Sequence, residues 1–264
     1  MNMTKTKILS AVLLLMLTSC SGKNKKDMNL TEKQLYERGM REMQTGEYKN
    51  ATETFTKLEN EYPAFAHYAD TLVLKAYAFY SEDKYTDAIL TIDDFIQQFP
   101  MHKDVAYMYY LKAMSNYNQI MDIGRDQEIT LKAKEDFRIL VQLYPNSKYA
   151  SDAKWKLEYI DNILAGKEME IGRFYMRTNK PIASINRFKD VIEKYQTSIF
   201  TPEALYRLTE VYFMLGINNE ATKYAAVLGY NYPKSTWYLK SYDLLMKNGD
   251  KRKGSSLKQI LQHF

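Results

Sequence analysis

Cysteine occurs once in this chain of 264 residues, at Cys20. A lone thiol excludes an internal disulfide, so no covalent staple holds the fold. Histidine is nearly as rare: His67, His102 and His263 stand far apart, at no spacing that suits a metal. Glycine and proline, which punctuate loops, number 10 and 6. Long runs free of both, with apolar residues at helical spacing, predict an all-α protein. An excess of one charge sign is also lacking. The net charge is +5, and Lys5 and Lys7 in the first 19 residues account for two of it, leaving +3. That balance argues against a nucleic-acid partner. There is no Gly-x-Ser-x-Gly, no His-Glu-x-x-His and no glycine-rich phosphate loop. No enzymatic activity, cofactor, metal or small-molecule substrate is therefore expected.

The first segment has a clear pattern. Lys5 and Lys7 precede an apolar stretch from Ile8 to Leu17, followed by the small residues Thr18 and Ser19. A basic head, a short apolar centre and a small-residue exit describe a secretory signal peptide over 1–19, because a membrane span needs about 20 apolar residues. Leu17-Thr18-Ser19-Cys20 resembles a bacterial lipobox. The resemblance implies that Cys20 carries covalent lipid and begins the mature chain; the rival is a signal cleaved without lipidation. Residues 20–29 then form a tether, since SGKNKKDMN is polar and cannot bury enough surface to fold. Ser21 is not the aspartate that, by the same resemblance, retains lipoproteins at the inner membrane. The expected location is the cell outer membrane, lipid-anchored, on its periplasmic face.

The rest of the chain repeats itself when aligned on EYP, QFP, LYP and NYP. Pro63 is preceded by Phe55, Ala51 and Gly39; Pro100 by Ile92, Ala88 and Ala76 at the same offsets; Pro145 by Phe137 and Ala133; Pro233 by Ala225, Ala221 and Thr209. A fourth unit has Gly172, Ser184 and Phe188 in register, with Gln196 at the proline position. This is the tetratricopeptide pattern. Antiparallel helices approach closely only where a small side chain faces a large one, and proline ends the second helix of each pair. The expected fold is a right-handed superhelical solenoid of five tetratricopeptide repeats. The small crossing residues Ala51, Ala88, Ala133, Ser184 and Ala221 lie 37, 45, 51 and 37 apart. The longer gaps predict a loop around MDIGRDQEIT in repeat three and one extended helix from Tyr149 to about Arg177. Residues 30–145 hold repeats one to three, 146–246 the long helix with repeats four and five, and 247–264 a basic, partly disordered tail.

In tetratricopeptide proteins the first helix of each pair lines a concave surface. By that resemblance the inward positions are Tyr36, Met40 and Met43; Val73, Tyr77 and Tyr80; and Tyr107, Tyr110, Met114 and Tyr117. Rigid aromatic rings with polar tips and adaptable thioethers suit an extended, aromatic-rich peptide. The alternative is that these residues pack between helices.

The ordered combination of a lipobox, five repeats, a loop in the third and a long helix before the fourth resembles the BamD family, lipoprotein subunits of the outer-membrane β-barrel assembly machine. Stretches such as EYPAFAHYADTLVLKAYAFY and DFRILVQLYPNSKYASDAKWKLEYIDNILAGKEMEIGRFYMRTNKPIASINRF carry the likeness over Leu35 to about Leu245. The resemblance implies docking on the periplasmic domains of BamA through the C-terminal repeats and recognition of unfolded outer-membrane proteins by the N-terminal ones. Arg187, in INRF, matches a family arginine that pairs with an acidic residue of BamA. The loop in repeat three is shorter than in better-known members. The rival reading is a generic periplasmic scaffold lipoprotein, such as a cell-division coordinator. A SusD-type glycan binder would need about twice the length.

Overall fold

The computed structural model describes residues 30–122 and 125–249. The signal peptide, Cys20 and the tether lie outside the described residues, as does the tail from 250 onward. Eleven α-helices and no strand occur among the described residues. They are α1 (Glu32–Gln44), α2 (Tyr48–Glu61), α3 (Tyr68–Ser81), α4 (Tyr85–Gln98), α5 (Val105–Tyr117), α6 (Glu128–Leu143), α7 (Ala150–Arg177), α8 (Pro181–Lys194), α9 (Thr201–Met214), α10 (Asn218–Asn231) and α11 (Thr236–Gly249). One compact unit ends at Glu82 and contains α1–α3; the other begins at Asp83 and contains α4–α11. Within each unit every helix packs on its sequence neighbours, and α11 also packs on α9. Nearest-neighbour packing of this kind is that of an all-α tetratricopeptide solenoid.

The small residues at the expected crossings are buried. Ala51, Ala88, Ala133, Ser184 and Ala221 are fully enclosed, as are the bulky partners Phe55, Ile92, Phe137 and Phe188. Burying each bulky side chain contributes about 1.5–3 kcal/mol. Two pairs approach so closely that even alanine is excluded. A Cβ at Gly39 of α1 would run into the ring of Phe55 in α2. The same arrangement recurs at Gly172 of α7, where a Cβ would lie 2.5 Å from Cε1 of Phe188.

The helix ends repeat as strictly as the core. Tyr62, Phe99, Tyr144, Tyr195 and Tyr232 close the second helix of the five pairs with φ between −136° and −130° and ψ between 50° and 64°. In each case the carbonyl of that aromatic residue then accepts from the N–H three residues on, at 3.0–3.2 Å. Proline follows four of the five, where it disfavours helical backbone before it and cannot extend the ladder. The fourth pair has Gln196 instead, and hydrogen bonds replace the ring. Thr201 Oγ1 donates to the carbonyls of Tyr195 and Gln196 at 3.1 Å. Asn162 Oδ1 accepts from Ser198 Oγ and the Ile199 N–H at 2.9 Å.

The turns inside the pairs are also regular. Gly46, Asp83, Asn179 and Gly216 all have positive φ, from 56° to 76°, and each stands 17 residues before the proline or its Gln196 equivalent. Glycine, asparagine and aspartate tolerate that left-handed conformation best. The next N–H then reaches back five residues in three of them, as in Glu47 to the Glu42 carbonyl at 2.8 Å. Repeat three replaces this turn with its loop. That loop is shorter than expected: Glu128, Ile129 and Thr130 already belong to α6, because Thr130 shares a buried face with Ala133 and Phe137. The long helix runs from Ala150 to Arg177, 28 residues, with Gly166 buried inside it.

Replacing Gly172 by alanine forces a methyl group against Phe188. We expect a net loss of about 1–3 kcal/mol despite alanine's better helix propensity. Urea unfolding, with a lower midpoint at unchanged slope, measures it.

Candidate functional site

In the first unit the expected groove residues lie half-buried on α1 and α3. Tyr36 stacks on His67, with centroids 5.1 Å apart. Tyr36 and Met43 pack against the cluster of Leu35, Ala51, Phe55, Leu58 and Phe65. Met40, Val73 and Tyr80 are half-buried, while Tyr77 is exposed and meets Tyr48 edge-on at 6.0 Å. These side chains combine packing with surface.

The second unit brings its expected residues together. On α5, Tyr107, Tyr110, Met114 and Tyr117 follow one helical stripe. Tyr149, just before α7, receives the first two rings: Tyr110 stacks on it at 5.0 Å and Tyr107 tilts against it at 5.5 Å. The Tyr110 hydroxyl donates to Asp152 Oδ2 at 2.7 Å. Lys156 Nζ donates to both oxygens of Asp152, at 2.8 and 2.9 Å, and lies 5.5 Å over the ring of Tyr117. Tyr117 packs edge-on against Phe137 and, at 6.1 Å, meets Tyr159. The result is a ladder of five tyrosines tied by one ion pair. A cavity of about 620 Å³ beside it is lined by Tyr117, Ile120, Met121, Arg125, Tyr159 and Ile163 among others. Trp155 and Tyr159 of α7 are 72% and 54% exposed.

Two of the five rings, Tyr149 and Tyr159, are not among the residues expected from the sequence. Tyr149, Asp152, Lys156 and Tyr159 recur at intervals of three, four and three, which marks one face of a helix.

Charge and burial act together here. Burial pushes the Asp152 carboxyl up, but hydrogen bonds from Lys156 and Tyr110 outweigh it and hold the group below its ordinary range. Burial, then Tyr159 and Asp152, raises the Tyr117 hydroxyl, so the ring keeps its proton and can donate.

Arg187 lies on α8, away from the ladder in sequence and element. Its Nη1 donates to Glu168 Oε2 of α7 at 3.0 Å, and that bond raises its already high pKa. The side chain is 39% exposed, and a guanidinium has five N–H donors, so the Glu168 bond leaves capacity for a second carboxylate. Cys20 lies outside the described residues. No helix among the described residues is long and apolar enough to cross a membrane.

Stacked helical pairs presenting an aromatic ladder define a tetratricopeptide-type binding scaffold. The comparisons with known proteins narrow the class. The family model YfiO, described as outer membrane lipoprotein, matches residues 28–228. The outer membrane protein assembly factor BamD of Rickettsia prowazekii (strain Madrid E) is 42% identical over 246 residues, covering 92% of this chain and 98% of the relative. BamD of Caulobacter vibrioides is 41% identical over 234 residues, covering 87% of this chain and 77% of the relative. The chain belongs to the BamD family of outer membrane lipoproteins.

Asp152 gives a pH-dependent test. Its depressed pKa contributes stability that is present above the unfolded value, about 3.9, and is lost as pH falls through the folded value. Asp152→Asn should cost a few tenths of a kcal/mol at neutral pH, because solvent screens this exposed pair. Urea unfolding of the two proteins should converge once the pH is below both values.

Proposed function

We propose that this chain is an outer-membrane protein assembly factor that holds unfolded polypeptides and acts without a catalytic step. The mature chain is anchored by lipid on Cys20 and faces the periplasm. Several acyl chains, each contributing about 0.8 kcal/mol per buried methylene, hold a soluble body firmly at the membrane. Its C-terminal repeats, 146–246, dock on the periplasmic domains of BamA. Its N-terminal repeats, 30–145, together with the start of α7, receive unfolded outer-membrane proteins.

The observation that carries this reading is the ladder of Tyr107, Tyr149, Tyr110, Tyr117 and Tyr159. Flat rings, supported from behind by Phe137, give an extended chain stacking surface, with the hydroxyl tips of Tyr117 and Tyr159 as polar contacts. Membership of the BamD family favours this function over a generic periplasmic scaffold.

Two measurements test it. An extended, aromatic-rich peptide should bind the mature chain, and Tyr77→Ala with Tyr110→Ala should weaken it roughly tenfold or more, at about 0.5–1.5 kcal/mol per lost aromatic contact. Undiminished binding would overturn the substrate role. For the partner, Arg187→Leu should sharply reduce co-purification with BamA, since a bidentate guanidinium–carboxylate contact has no substitute in leucine. Full recovery of the complex would remove Arg187 from that interface.

A further inference from the structure

Helix α5 has a second working face. Lys112 and Asn116 lie roughly opposite its tyrosine stripe at 100° per residue, and Gln119 follows in the turn just past the helix end. They form the floor of a separate cleft of about 450 Å³, whose walls come from Thr86, Ile89 and Leu90 of α4 and from Ile129, Lys132, Glu135 and Asp136 of α6. Ile89, Leu90 and Ile129 supply the aliphatic part of these walls, and Leu90 is 59% exposed. Within the cleft the half-buried Asp136 Oδ2 accepts from Asn116 Nδ2 at 2.7 Å.

The charges around the cleft are unevenly matched. Lys112 pairs with Asp93 at 2.7 Å, Lys132 with Glu128 at 2.7 Å, and Arg138 with Glu135 at 2.9 Å. Each neighbouring cation therefore already serves another carboxylate, while the hydrogen bond to Asp136 comes from a neutral amide. Burial pushes the Asp136 carboxyl up, and Asn116 and Lys112 offset this only in part. A partly desolvated carboxylate sharing a cleft with Ile89, Leu90 and Ile129 matches one type of side chain: an apolar stem with a cationic, hydrogen-bonding tip.

We propose that the α4–α5–α6 cleft is an anchor site for an arginine side chain of a partner polypeptide, its stem along Ile89, Leu90 and Ile129 and its guanidinium on Asp136. Arginine fits better than lysine. Its planar fork can bond the carboxylate through two donors, and it is less strongly hydrated than an ammonium. The aliphatic walls suit its three methylenes and one flanking leucine or isoleucine. Buried arginines in such pockets are frequent anchors of protein interfaces. The site is independent of the tyrosine ladder, so loss of one need not affect the other.

The test uses the full mature chain in lipid nanodiscs and two probes, N-acetyl-Leu-Arg-Leu-amide and the same peptide with neutral citrulline for arginine. Binding is read from the δ1-methyl NMR signals of Ile89 and Ile129. The arginine peptide should shift both signals with a Kd of about 1 mM, and citrulline should weaken it about tenfold. Asp136→Asn, which preserves shape and an acceptor for Asn116, should abolish that difference. Leu90→Ser, at an exposed position, should weaken both peptides. Equal binding of the two peptides would reduce the cleft to a general apolar groove and overturn the proposal. So would an unchanged preference in Asp136→Asn, or no shift of either methyl up to about 10 mM. Unaltered methyl signals elsewhere in the variants verify the fold.

Discussion

Close approach between paired helices depends on a small residue meeting a large ring. Gly39 against Phe55 and Gly172 against Phe188 are the tightest cases, where the hydrogen of glycine leaves just enough room for an aromatic edge. Dense interiors tolerate little change in volume at such points. Other features follow from it. Because α7 and α8 are drawn together at Gly172, Arg187 reaches Glu168 across the pair. Because α5, α6 and α7 pack in succession around Ala113, Ala133, Phe137 and Ala153, the tyrosines of α5 come to face Tyr149 and Asp152.

The connections serve the same end by different means. A residue with positive φ stands 17 positions before the proline, or before Gln196, in four of the pairs, and an aromatic residue with extended φ ends the second helix of all five. Where Gln196 replaces proline, Thr201 and Asn162 supply hydrogen bonds that fix the same backbone. Proline acts by limiting the chain before and after folding. The hydrogen bonds act only once α7 and α9 are in place. The fourth repeat therefore depends on its neighbours for a turn that the others encode locally.

The candidate sites draw mainly on faces of helices. On α5 the tyrosine stripe and the Lys112–Asn116 side point in opposite directions, so one helix contributes to both the aromatic ladder and the floor of the second cleft. Neighbours then fix the chemistry of each face. Asp152 becomes a stable anion because Lys156 and Tyr110 hydrogen-bond to it. Asp136 is held above its usual range because burial outweighs one amide and a lysine already paired elsewhere. In water these two aspartates would be alike.

The sequence alone determined the helical class, the repeat register and the long helix ending at Arg177. These depend on fixed spacings of small, bulky and helix-ending residues, and those spacings act locally or between adjacent helices. Helical spacing also put Tyr107, Tyr110, Met114 and Tyr117 on one side of α5. Only the tertiary structure decided that Tyr149, Asp152 and Tyr159 complete the ladder, that Arg187 bonds Glu168, and that Asp136 shares a cleft with Ile89 and Leu90. Each of those depends on two segments between 19 and 50 residues apart in the chain. Their relative placement comes from packing, and periodicity along a single helix carries no record of it.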